Sequence, residues 1–470
     1  MTKKTHPSLL QVLGLGTAIL LVAGNIIGSG VFKKIAPMSD SLMNGNLIIW
    51  AWIVAGVITM LGALSYASLA SVTKEAGGQF QYFKNAFNDF TGFMFGWSFF
   101  SVISTASIAS ISYVFAESFV KFWHIPEFFN FSPDAVKFFG LSFSENFTVK
   151  FIAISTLILL TIYNILGVKG GGWLSNIVTS AKIIGILLLI ILGLTFSGST
   201  GENEITNVTS TNPIGAGNIF RLSAFFTAML GAFWAYDGWV NITNMASEFK
   251  NPTKNVPRAI IFGTLLTMVL YVLVNYSYLN VLSTSEFAAI SKQQGTIAAV
   301  EVAGKVMGAI GITVISALIM VSTFGATQGS TMSAARVYYQ MSKEKLFFKP
   351  FSKVSEKFRT PHISLTGQMI WSSILILSGT FDQLTDMLVF VAFLFYALGA
   401  IAVIKLKRSR PDLKTYGYPV VPALFILFCI VIIINSIYSR PWESLIGLGL
   451  ILTGVPLYFY FSRKKGQAVK

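Results

Sequence analysis

Apolar residues in this chain fall into stretches of about 20, longer than the alternations of a strand or the one-sided stripes of a soluble helix. A hydrocarbon layer about 30 Å thick takes about 20 helical residues to cross. Stretches of that order lie near residues 11–36, 46–71, 90–122, 149–168, 173–196, 218–246, 257–283, 299–341, 363–380, 384–406, 419–438 and 441–462. The pattern predicts an all-α integral membrane protein with twelve transmembrane helices in one domain, residues 1–470. The longest polar loops are near 124–148 and 197–217. Lys3 and Lys4 ahead of an apolar run resemble the start of a secretory signal. No small-residue cleavage site follows them, so the run reads as the first span.

Two spans are irregular. The first carries Gly24, Asn25, Ile26, Ile27, Gly28, Ser29 and Gly30, a glycine density that costs a helix up to about 1 kcal/mol per residue against Ala. The sixth carries Phe233, Trp234, Ala235, Tyr236, Asp237, Gly238 and Trp239, which puts a carboxylate and a glycine at mid-membrane depth. Both helices are expected to open there. They hold equivalent places if 11–197 and 218–407 are two five-helix halves of an inverted repeat, with two extra helices over 419–462. Interrupted helices in matching positions point to a transporter binding site. Opening a helix in hydrocarbon frees N–H and C=O groups that something polar must meet. A zwitterion meets both kinds: its carboxylate on the N–H groups around Ser29 and Gly30, its ammonium on the carbonyls near Ile26, Trp234, Ala235 and Asp237. The plainer alternative is that Gly28 and Gly30 only let helices pack closely.

Composition narrows the class. Hydrophobic residues are 54% of the chain and charged residues 11%, against about 25% charged in a soluble domain. The net charge of +15 does not indicate nucleic acid, because the Lys and Arg sit in short segments between apolar runs. Placing both termini in the cytoplasm puts most of the 34 Lys and Arg on that side, including Lys250, Lys254 and Arg258 and the group Lys405, Lys407, Arg408 and Arg410. The acidic residues Glu117, Glu127, Glu202 and Glu204 then read as outward-facing loop residues. The single Cys429 makes no intrachain disulfide. His6, His124 and His362 lie outside the apolar runs and form no metal-spaced set, so neither an enzyme, a metal nor a cofactor is expected. There is no GxxxxGK for ATP-driven transport and no ring of filter residues for a channel.

Lys182 falls near the bilayer midplane of the fifth span, where a Lys costs roughly 2.5–3.5 kcal/mol and is expected to have a role. It reads either as a cation that replaces a coupling Na⁺ by holding the opened first span, or as a fixed structural partner of the freed carbonyls. Asp237 admits three roles: capping the broken helix, pairing with a cation or touching the substrate amine. Trp234 is a gate or a packing residue. Ser322 and Thr323 supply hydroxyls of the type that ligate Na⁺, although Lys182 argues against an Na⁺ site. Ser104, Thr105, Ser107 and Ser110 in the third span offer hydroxyls and no acid, which favours a neutral substrate.

GNIIGSGVF at 24–32, EAGGQFQYFKNAF at 75–87, WAYDGWVNITNMASEFKNPTKNVPRAI at 234–260 and STFGATQGSTMSAARVYYQMSKEKLFF at 322–348 resemble stretches of the amino acid-polyamine-organocation superfamily. Within it, the chain resembles the L-type amino acid transporters of LeuT-like fold. The resemblance implies alternating-access amino acid transport, with Ile26, Ser29, Gly30, Trp234, Ala235 and Asp237 at substrate positions; Ile27, Gly28 and Tyr236 complete the candidate set. It places Lys182 at the family's fifth-span lysine. Exchange is the leading mode and proton-coupled symport the alternative. Asp237 stands where Gly is frequent in relatives and Gln328 where Asn is common, which bears on selectivity. Animal members pair with a single-span glycoprotein through a loop cysteine. Residues 124–148 contain none, so no disulfide-linked subunit and a bacterial inner membrane are expected.

Overall fold

The computed structural model describes residues 14–71, 77–126, 137–138, 141–142, 146–167, 171–196, 218–293 and 295–467. Lys3, Lys4, His6, Glu75, Ala76, Glu127, Glu202 and Glu204 lie outside them. In chain order the helices are α1 (Leu15–Ile26), α2 (Gly30–Lys33), α3 (Ile35–Leu42), α4 (Gly45–Ala70), α5 (Gly78–Ala86), α6 (Asp89–Ser98), α7 (Ser104–Trp123), α8 (Phe147–Ile165) and α9 (Gly171–Thr195). They continue as α10 (Asn218–Tyr236), α11 (Pro252–Val281), α12 (Thr284–Ser291), α13 (Ala298–Lys343), α14 (His362–Ser378), α15 (Phe381–Ser409), α16 (Val420–Ser439), α17 (Pro441–Leu452) and α18 (Gly454–Gln467).

Among the described residues, nine helices are long and apolar enough to cross a membrane. Their outward faces carry unpaired large apolar side chains, such as Leu159 and Ile162 on α8 and Leu427, Ile430 and Ile434 on α16. A water-soluble surface would not tolerate so much apolar area, and the chain is a multi-pass membrane protein.

Several elements differ from the expected pattern. A two-residue antiparallel ladder, Lys137–Phe138 with Leu141–Ser142, interrupts the helical plan in the loop after α7. The third span is α6 and α7 joined by a π-helical turn, Phe99–Ile103. Such a turn frees carbonyls, and they are met from nearby: Thr105 Oγ1 donates to Phe100 O at 2.7 Å and Trp371 Nε1 to Ser101 O at 2.8 Å. The 46-residue α13 is longer than one crossing needs, and Gly308 breaks it with φ 61° and ψ −146°. Its first turns therefore form a separate short segment, tied by Lys305 to Glu286 at 2.8 Å on α12, a short helix opened by a capping box of Ser283 and Glu286.

The two ends of the bundle can be told apart by these short elements. At one, α3 and α12 pack together; at the other, α5 lies across the bundle beside the end of α13.

Candidate functional site

α1 stops at Ile26. Ile27 still gives its N–H to Ala23 O at 2.7 Å, but its ψ of 86° turns the chain out of the helix. The helix resumes at Gly30, so the residues between have left the i→i−4 ladder and release the carbonyls behind them. Three of these are met by the protein. Lys182 Nζ, on a side chain only 2% exposed, donates to Gly24 O at 3.0 Å and Ile27 O at 2.9 Å. The Tyr271 hydroxyl donates to Ile26 O at 3.0 Å. The Ile26 carbonyl, expected to face a substrate ammonium, thus has a protein donor on one of its two lone pairs.

α10 stops at Tyr236. Asp237 N–H turns back to Trp234 O at 3.2 Å, Gly238 takes φ 106°, and the chain continues as a 3₁₀ helix over Asn241–Glu248. Only glycine suits this crossing: the φ is left-handed, and a Cβ on Gly238 would sit 2.6 Å from Asn25 O. Gly30 matches it on the other side, where a Cβ would come within 2.5 Å of Ala235 Cα. The two breaks are therefore in backbone contact.

Between them is a narrow cleft. Ile26, Gly28, Ser29, Gly30, Trp234, Ala235 and Asp237 line it, joined by Asn25, Ser107, Ile111, Gly238, Asn241 and Ser330. Ile27 and Tyr236 do not. Ile27 is fully buried behind the cleft, and the Tyr236 ring packs edge-on to Trp52, with its hydroxyl on Trp52 O at 3.2 Å. Ser29 Oγ and Trp234 Nε1 are buried with no hydrogen-bond partner among the described residues, and so is Ser110 Oγ on α7. Buried polar groups are seldom left orphaned, and two on residues that line one cleft, Ser29 and Trp234, mark a place where a ligand completes the hydrogen bonding. The free space, about 20 Å³, holds a water and not an amino acid, so the cleft is closed.

The remaining candidates fall into place around it. The Asp237 carboxylate accepts from the Tyr396 hydroxyl at 2.5 Å, across to α15. Ser322 Oγ is buried with no partner among the described residues, while Thr323 Oγ1 donates within its own helix to Ile319 O at 2.7 Å. Gln328 Nε2 donates to Asn164 Oδ1 at 3.2 Å, tying α13 to α8. Among the described residues there is no group of His, Cys, Asp and Glu that could hold a metal ion.

Charged pairs tie the helices together at both ends of the bundle, and one of them departs from the expected pattern. Glu117 is not an outward-facing loop residue. It lies on α7 with its side chain 5% exposed, and both its oxygens accept from Lys33 Nζ at 2.6 Å. An ion that deep needs a counterion, and Lys33 at the end of α2 supplies it. Lys34, 2% exposed, donates to Asp382 Oδ1 at 2.6 Å and Thr385 Oγ1 at 2.8 Å on α15. Both lysines also lie 4.6 Å from the centre of the Phe381 ring. At the α5 end, Glu344 pairs with Lys84 and accepts from Gln81 at 2.6 Å and Gln340 at 3.1 Å. Lys33 and Lys34 could have been noticed as two charges inside an apolar run, but nothing local names partners 84 and 348 residues away.

Such a molecule, a polytopic helical membrane protein with two interrupted helices meeting at a closed cleft and charged ties at either end, is built like a carrier. The chain belongs to the amino acid permease family, whose model matches residues 13–456. It is 28% identical over 465 residues to the serine/threonine exchanger SteT of Bacillus subtilis, covering 98% of each chain. It is 30% identical over 471 residues to the b(0,+)-type amino acid transporter 1 of Mus musculus, covering 98% of this chain and 91% of that one. With the large neutral amino acids transporter small subunit 2 of Rattus norvegicus the identity is 27% over 463 residues, or 96% and 81% of the two chains.

Proposed function

We propose that this protein carries neutral L-amino acids across a membrane by alternating access, as an exchanger. The observation that carries the reading is the pair of helix breaks in backbone contact, with Ser29 and Trp234, whose Oγ and Nε1 have no partner among the described residues, lining the space between them. The names of the relatives, an exchanger of serine and threonine among them, agree with it. The substrate's carboxylate takes the free N–H groups around Ser29 and Gly30, and its ammonium the carbonyl lone pairs of the two breaks. Lys182 serves as a built-in cation that holds the first break open, in the place of a coupling ion.

In this reading the broken pieces α1–α3, the broken α10 and the 17-residue α14 join the nine long helices to make twelve spans. The inverted repeat covers 11–197 and 218–407, and α16 to α18 are the extra pair. The positive-inside bias puts the α5 end and both termini in the cytoplasm and the α12 end outside. A bacterial relative of full length favours a bacterial inner membrane.

Preloaded proteoliposomes test the mode and the substrate together. Efflux of internal amino acid that needs an external neutral amino acid supports exchange. Net uptake driven by a pH gradient alone would replace exchange with proton symport, for which Asp237 and Lys182 are the candidate carriers. Arginine or lysine outcompeting serine, alanine and leucine would overturn the neutral-substrate assignment.

A further inference from the structure

A larger cavity lies at the α12 end, divided from the cleft by the rings of Phe381 and Trp234. It measures about 210 Å³ against about 20 Å³ at the breaks, and its lining includes Lys33, Tyr113, Glu117, Lys150, Phe381 and Asp382. We propose that this cavity is a second binding site for an amino acid zwitterion, in which Lys33 receives the substrate carboxylate while Glu117 and Asp382 receive its ammonium. The proposal rests on the transport reading above.

Charges of both signs line this cavity, the two that a zwitterion carries at its ends. The Asp382 side chain is 54% exposed and, among the described residues, only its Oδ1 accepts a hydrogen bond, from Lys34, so the carboxylate has capacity left on its open side. Lys33 and Glu117 are 14% and 5% exposed and engage one another fully. A neutral ligand could not enter between them without leaving two buried ions unpaired. A zwitterion can, because its carboxylate takes over Lys33 as its ammonium takes over Glu117, and each ion keeps a partner throughout.

The same exchange has a mechanical result. The Lys33–Glu117 pair joins the half-helix α2 to α7, so a ligand that replaces it loosens α2 where the cleft is closed. Phe381 packs edge-on to Trp234 at 6.2 Å between ring centres, and it lines the cavity while Trp234 lines the cleft. The cavity and the cleft therefore share one aromatic wall. Ligands lacking either charged end, such as N-acetyl amino acids or simple amines, have no means of releasing the pair.

Equilibrium binding of radiolabelled L-serine, L-alanine and L-leucine to the purified full-length chain tests this. Two molecules bound per chain for at least one probe are expected, falling to one in Asp382→Asn and in Lys33→Met, with N-acetyl-serine displacing neither. The Asp382→Asn variant should also raise the KM severalfold from the α12 side and leave it unchanged from the other. One molecule per chain in the wild-type protein would overturn the second site and leave the transport reading intact. No binding of any probe would overturn both. Two molecules retained in both variants, or equal KM changes on the two sides, would sink the assignment of Lys33 and Asp382.

Discussion

Replacing Lys182 by Met tests whether the first break is held open or merely filled. Gly24 O and Ile27 O, the two carbonyls that Lys182 takes, are the acceptors that Gly28 and Val31 N–H groups would use if the helix ran through. The ammonium thus occupies the ladder positions that would heal the break. Losing two hydrogen bonds to a charged donor costs roughly 3–6 kcal/mol, at about 1.5–3 each. Removing the buried ammonium returns about 2.5–3.5 kcal/mol on the insertion scale. The difference, from about −0.5 to about 3.5 kcal/mol and centred near 1.5, is small for the whole fold but large for a local choice between a broken and a continuous helix. A shift of about 1.4 kcal/mol is tenfold in such an equilibrium. Lys182→Met should therefore stay folded, with a fall of a few degrees in thermal unfolding, and lose about tenfold in substrate counterflow. Wild-type counterflow in a well-folded Lys182→Met protein would refute the idea that this cation maintains the site.

Other substitutions probe the neighbouring contacts. Gly30→Ala places a Cβ against the Ala235 backbone, which cannot rotate away, so about 1–3 kcal/mol of stability and most substrate binding should be lost in thermal-shift and binding assays. Tyr396→Phe strips the half-buried Asp237 carboxylate of its hydroxyl donor, at a cost of about 1–3 kcal/mol. Asp237→Asn in the same background should restore part of that, and strictly additive effects would show that the two groups are independent. At the α12 end, burial nudges the Glu286 carboxyl upward, but hydrogen bonds from Lys305 and Ser283 outweigh it and hold it below its usual 4.5. A lowered carboxylate stabilises the fold above its unfolded pKa and releases that support as pH falls through the folded one. Amide exchange in α12 should rise only below about pH 4.5, and a rise near neutrality would contradict this origin.

How much of this was legible beforehand depends on how far each cause reaches along the chain. The membrane class followed from apolar runs, because crossing lipid is a demand each segment must meet by itself. Glycines at 24, 28, 30 and 238 marked where the helices stop, since a helix ends for local reasons that a local window records. Even the short α12 has its sign in the sequence, a Ser three residues ahead of a Glu. What was not legible was pairing. Reading Glu117 as an outward-facing loop residue treated it as solvated, whereas it is buried against Lys33, and Lys34 against Asp382, partners that only the packing of distant helices supplies. Tyr271 was hidden for the same reason: a tyrosine in an apolar run looks like packing until its hydroxyl meets a carbonyl 245 residues away. A break in a membrane helix carries two kinds of information, where it opens and what satisfies it. The first is written at the break itself, and the second is distributed over every helix that touches it.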